Sequence, residues 1–138
     1  MAHVKESEAP IAILSEKIIT QFQAIVGSEN VLVKETERTE YGHDKTEDYQ
    51  FLPDVVIKPG SPKEISQLLI ICNEHKIPTT PRGAGTGLSG GALPVNKGVV
   101  ISMERFNKIL AIDELNLQAT VEPGVITEVF QNAVKEKG

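Results

Sequence analysis

Residues 81–94 read PRGAGTGLSGGALP. Five of the chain's 11 glycines fall between Gly83 and Gly91, and Pro81 and Pro94 bracket them. Glycine costs conformational entropy and adds no side chain to a core. Such a stretch fits backbone that turns sharply or approaches something closely. Gly91 and Pro94 forbid a helix of useful length before the next apolar run at Gly98. The chain must therefore carry a long loop between two strands.

The flanking sequence predicts what that loop connects. Val55-Val56-Ile57, between Pro53 and Pro59-Gly60, reads as a short buried strand. Ser61-Pro62-Lys63-Glu64 then has the form of a helix start: a serine N-cap, proline at the first helical position and an acidic first turn. Ile65, Leu68, Leu69 and Cys72 fall at helical spacing, so the helix runs to about His75 with one apolar stripe. Ile77–Thr80 is the next strand. Strand, helix and strand imply a parallel pair with a right-handed crossover. After the loop, 98–101, 109–112 and 118–121 read as strands, and 127–137 as a helix with Val129, Phe130, Ala133 and Val134 on one face. Before all this, apolar positions from Ile11 to Val26 predict a helix closed by Gly27. Val31–Val33 is a short apolar piece. Residues 34–50, KETERTEYGHDKTEDYQ, lack either period and read as a solvated loop. The fold class is thus α/β: a small, mostly parallel sheet with packed helices. Residues 1–50 read as an N-terminal helix and charged connecting segment, and 51–138 as the unit that holds the strands and helices of the sheet.

Gly85-Thr86-Gly87-Leu88-Ser89-Gly90 matches G-x-G-x-x-G, and Glu104 stands about 20 residues further on, as in a Rossmann dinucleotide site. That motif works by opening a helix whose N-terminus faces a pyrophosphate. No helix can follow here, so the Rossmann reading fails. The phosphate-binding P-loop pattern fails too, because no Lys-Ser or Lys-Thr follows the glycines. A strand-to-strand glycine loop can still hold an anion when its amides converge into a nest. Thr86 and Ser89 add hydroxyl donors, and Arg82 adds charge. The physical reading is a diphosphate cradle. By themselves the residues leave open a stand-alone nucleotide- or phosphate-binding module without redox activity, or a loop that binds a protein partner.

PRGAGTGLSGGALP resembles the pyrophosphate-binding loop of FAD-binding domains of the vanillyl-alcohol oxidase / p-cresol methylhydroxylase (PCMH) type. Within that superfamily it is most similar to the FAD-linked 2-hydroxy-acid dehydrogenases, namely the glycolate oxidase FAD-binding subunit and D-lactate dehydrogenase. PDVVIKPGSPKEI, GVVISMERFNKIL and ATVEPGV resemble the family's flanking segments in the same order. The resemblance covers about residues 30–138. It implies that Arg82, Gly83, Ala84, Gly85, Thr86, Gly87, Ser89 and Gly90 hold the FAD diphosphate. It places Pro53, Val55 and Pro59 near the adenosine, and Pro123-Gly124 in a turn against the cofactor. Their positions at strand ends and turns would account for these five equally well.

The implied parent reaction is oxidation of a small 2-hydroxy acid to the 2-oxo acid, with hydride passing to the flavin. Family members are longer. They continue into a second flavin lobe and a substrate-binding cap, and their catalytic base and any metal ligands lie there. The chain is then expected to be an N-terminal lobe with no catalytic residue and no metal site, inactive alone, whose partners are FAD and the missing C-terminal part.

The remaining features fit that picture. A net charge of −5 argues against a nucleic-acid surface. No run has the length of a membrane span or a signal-peptide core, so the expected location is the cytoplasm. The single cysteine, Cys72, excludes an internal disulfide and sits on an apolar stripe as a core residue. His3, His43 and His75 are far apart in sequence. Tyr41-Gly42-His43-Asp44 lies where the family places a Tyr/Asp-containing segment before the first strand; the resemblance leaves open an approach to the flavin side, and the preferred reading is a surface turn, with Glu104-Arg105 as a surface pair.

Overall fold

The computed structural model describes residues 14–46 and 48–138. His3 and the start of the expected first helix at Ile11 lie outside the described residues. Helix α1 (Glu16–Val26) begins at Ser15, whose side chain accepts a hydrogen bond from the Ile18 amide. It ends at Gly27, where φ is +89°. Its Ile18, Phe22 and Val26 are buried. Strand β1 (Val31–Leu32) and a single helical turn, α2 (Glu35–Arg38), follow.

Strand β2 (Val55–Ile57) leads into helix α3 (Pro62–Glu74). The start expected for α3 is the one observed: Ser61 accepts from the Glu64 amide at 3.2 Å, with Pro62 in the first turn. Next come β3 (Thr79–Arg82), β4 (Val99–Ser102), the antiparallel ribbon β5 (Ile109–Asp113) and β6 (Gln118–Val121), and helix α4 (Thr127–Lys135). No described helix is long and apolar enough to cross a membrane.

The main sheet has the order β1-β2-β4-β3, with β2, β4 and β3 parallel and β1 antiparallel at one edge. The sheet is mostly parallel, as expected, but β4 lies between β2 and β3. The central strands have no polar face: Val55, Val56, Val99 and Val100 are fully buried, as strands covered on both sides require. Helices α1 and α3 close the core with Phe22, Leu68 and Cys72.

Two expectations need correction. Strand β3 starts two residues later than Ile77, because the Ile77 amide bonds back to the Cys72 carbonyl at 2.8 Å and finishes α3. Arg82 thereby becomes the last residue of the strand. Nor is 34–50 simply a solvated loop. It holds α2, and Arg38 donates to the Pro53 carbonyl; its Tyr41–Asp44 stretch is packed inward and is not a surface turn, since Gly42 and Asp44 are buried.

In β3, the carbonyls of Pro78 and Arg82 both accept from β4 or its extension. Alternation along a strand then turns Pro81 toward the open edge. There its missing N–H leaves the ladder intact.

Candidate functional site

Because β2, β4 and β3 are parallel, their C-terminal ends emerge on one side of the sheet. Open α/β sheets bind ligands at this edge. Lys58-Pro59 follows β2, Met103-Glu104 follows β4, and the glycine loop leaves β3 at Gly83.

The five loop glycines divide into two sorts. Gly85 and Gly90 have φ of +69° and +73°, a conformation side chains disfavour. Gly83, Gly87 and Gly91 do not. A Cβ at Gly87 or Gly91 would meet nothing within 4 Å, and one at Gly83 would only touch the Pro123 carbonyl oxygen at 3.8 Å. The folded chain itself does not need glycine at these three positions. The loop is exposed from Gly83 to Ser89 except at half-buried Gly85. Among the described residues, no partner is seen for the N–H groups of 83–89 or the hydroxyls of Thr86 and Ser89.

Arg82 is buried at 8% exposure. Its Nη1 donates to the His43 carbonyl at 2.6 Å and its Nη2 to the Glu40 carbonyl at 3.2 Å. Burial draws its pKa down from the ordinary value, opposed by nearby Asp44. The charge expected to face an anion directly is thus committed to the chain beneath the loop.

Beside Arg82 lies a constellation that sequence reading missed. Tyr41 donates its hydroxyl to Glu104 Oε1, and Lys58 Nζ approaches Glu104 Oε2 at 2.9 Å. Ser102 Oγ donates to Glu104 Oε1 at 3.0 Å. Lys58 and Arg82 both lie over the Tyr41 ring, 5.4 and 5.7 Å from its centroid. Burial alone would raise the Glu104 pKa, but hydrogen bonds from Tyr41, Lys58 and Ser102 outweigh it and hold the carboxylate below its ordinary range. Burial likewise opposes the Lys58 charge, and its bonds to Tyr41 and Glu104 raise its pKa nonetheless. Burial and the Glu104 carboxylate push the Tyr41 phenol up. Glu104 and Arg105 do not pair: Arg105 instead donates to the Lys58 carbonyl and approaches Glu64 at 3.9 Å. Tyr41 and Glu104 are 63 residues apart, and no local pattern links them.

The loop and the Pro123-Gly124 turn meet. An open cleft of about 410 Å³ has Gly83 and Ala84 on one wall, Gly124, Ile126 and Val129 on the other, and Glu104 between. Gly124 is required by close approach: a Cβ there would overlap the Met103 carbonyl, and its amide donates to the Phe106 carbonyl at 2.7 Å. Pro53, Val55 and Pro59 are elsewhere in character. Val55 is in the core, and Pro53 and Pro59 are fully buried at the two ends of β2. Their side chains support the sheet from within. Cys72 is buried as expected, and burial pushes its thiol up to about 11, so it stays protonated and unreactive near neutrality.

Comparison with known proteins supplies the family. A family model described as FAD binding domain matches residues 53–138. The glycolate oxidase subunit GlcD of Bacillus subtilis is 44% identical over 125 residues, spanning 91% of this chain and 27% of that protein. D-lactate dehydrogenase of Anaerostipes hadrus is 35% identical over 125 residues, spanning 89% of this chain and 26% of that protein. Among solved structures, p-cresol methylhydroxylase with substrate bound superposes with a TM-score of 0.78 at 30% identity, over 88% of this chain and 24% of that one. Alkyldihydroxyacetonephosphate synthase shares the fold, with a TM-score of 0.77 at 18% identity. The chain spans about a quarter of the length of these relatives.

Proposed function

The chain belongs to the FAD binding domain family, and from that premise we propose that it is the diphosphate-gripping lobe of a flavin-dependent oxidoreductase acting on a small 2-hydroxy acid. The observation that carries this reading is the freedom at Gly83, Gly87 and Gly91, where the folded chain has no use for a missing Cβ. A ligand lying on the backbone does.

In this reading the N–H groups of 83–89 and the hydroxyls of Thr86 and Ser89 would hold the diphosphate. Arg82 acts from beneath, by tying the end of β3 to residues 40–43. The adenosine-side role for Pro53, Val55 and Pro59 reduces to packing β2 in place, with Pro59 alone at its C-terminal, ligand-facing end. Gly124 holds the far wall of the cleft in place, with Pro123 beside it. Lys58 offsets the Glu104 carboxylate, so the cleft does not present an unpaired negative charge to an anionic ligand. When bound, FAD supplies the electron acceptor for oxidising the hydroxy acid to the 2-oxo acid. None of these side chains is assigned a proton-transfer role. In this reading a base, a substrate pocket and the second flavin lobe would lie in the three quarters of the relatives' length that the chain does not span, and the chain alone would be inactive.

The test is a chimera in which this chain replaces the matching quarter of the Bacillus subtilis relative. A yellow protein with flavin absorbance and 2-hydroxy-acid-dependent bleaching is expected. A folded chimera that stays colourless after reconstitution with FAD would overturn the reading.

A further inference from the structure

We propose that residues 40–46 are a latch that presets the glycine loop, with Thr46 its positioning residue; this rests on the reading of the loop as the diphosphate cradle. The match to the family model begins at residue 53, so these residues fall outside it. Yet three sets of contacts join them to the loop. The Gly90 amide donates to Thr46 Oγ1 at 2.8 Å. The Lys45 amide donates to the Gly87 carbonyl at 3.1 Å. Arg82, at the loop's root, donates to the carbonyls of His43 and Glu40.

The latch is itself held in shape. Asp44 is 6% exposed, and its Oδ1 accepts from the Thr46 amide at 2.7 Å. The Phe51 amide closes the segment on the Gly42 carbonyl at 2.8 Å.

These contacts fix two peptide planes of a segment that would otherwise be loose. In a trans peptide the C=O and N–H point opposite ways. With the Gly87 carbonyl drawn toward Lys45, the Leu88 N–H is turned outward. At Gly90 the N–H is taken inward by Thr46, which ends the outward-facing run. A glycine-rich loop loses much conformational freedom on meeting a ligand, and ordering it beforehand removes that cost from binding. The latch therefore acts on affinity through loop geometry and touches no ligand.

The experiment uses the ¹⁵N-labelled 138-residue chain, with FAD as the probe, and compares wild type with T46V and T46S. Valine keeps the shape and removes the acceptor; serine keeps the acceptor. In T46V the Gly90 amide should exchange at least tenfold faster while core amides of β2 and β4 keep their protection. The FAD dissociation constant, read from shifts of the 83–89 amides, should rise about fivefold, as losing one hydrogen bond implies. T46S should lie within twofold of wild type in both. Unchanged Gly90 exchange and affinity in T46V, a serine variant that behaves like valine, or a T46V chain that no longer folds would each overturn the proposal. A wild-type chain whose 83–89 amides ignore millimolar FAD would instead overturn the cradle reading, and the exchange comparison would still decide the latch.

Discussion

Gly85 and Gly87, two positions apart, call for opposite expectations. At Gly85 the backbone has φ +69°, and a Cβ would overlap the Arg82 guanidinium. Gly85→Val should destabilise the fold by about 2 kcal/mol, because a β-branched residue is forced into a left-handed conformation. At Gly87 neither penalty exists. Gly87→Val should leave the melting temperature nearly unchanged and weaken FAD at least tenfold. Thermal melts and FAD titrations of both variants check this. Equal FAD affinity in Gly87→Val and wild type would show that the loop's exposed face is not the binding face. From sequence the two glycines looked alike. The glycine content was legible, but which glycines the fold consumes depends on φ and on Arg82. The side chain of Arg82 turns under the loop to meet carbonyls about 40 residues away in sequence.

Among the elements, those with local signals were legible. Helix α3 carries its own cap and stripe, and β2 and β4 are apolar runs set off by proline and glycine, so each could be read without knowing its neighbours. Segment 34–50 could not. Its anchors are the Glu40 and His43 carbonyls, which accept from the distant Arg82, and a local Asp44 turn, and such contacts leave no periodicity. The Tyr41-Lys58-Glu104 group was hidden for the same reason: each member sits in a different connection at the C-terminal edge of the sheet. It makes a pH prediction. The folded-state pKa of Glu104 is depressed below its ordinary 4.5. The unfolded chain therefore binds this proton more readily, and the stabilisation is present above about pH 4.5 and lost as pH falls through the folded value. Wild type should be more stable than Glu104→Gln at pH 7, and the gap should close progressively below pH 4.5. Denaturant melts across that range provide the measurement, and a gap independent of pH would contradict the assignment.

At the scale of the whole molecule, the two ends of the chain are unequally finished. Residues 16–106 surround a buried core, whereas β6 is exposed along its length and α4 buries nothing fully. Leu115 and Leu117 are about 90% exposed, and Ile126 and Val129 more than half. A cofactor site normally covers most of its ligand, and the cleft here is open. The 138-residue chain should fold, bind FAD with a dissociation constant in the high-micromolar to low-millimolar range, and show no dehydrogenase activity. Calorimetry with FAD is the check, and sub-micromolar stoichiometric binding would make the lobe a complete site.

The edges of the main sheet bear on how such a chain behaves at high concentration. On one side β1 offers only two residues, and on the other Pro81 presents a ring where a donor would be. Neither edge can template an incoming strand, so the sheet resists the stacking that leads to fibrils. The β5–β6 ribbon has longer strands than β1 and no proline, and its one irregularity lies at the Ile109 end. Any ordered aggregate of this chain should grow from the ribbon, and its protease-resistant core should contain residues 109–121 and exclude the glycine loop.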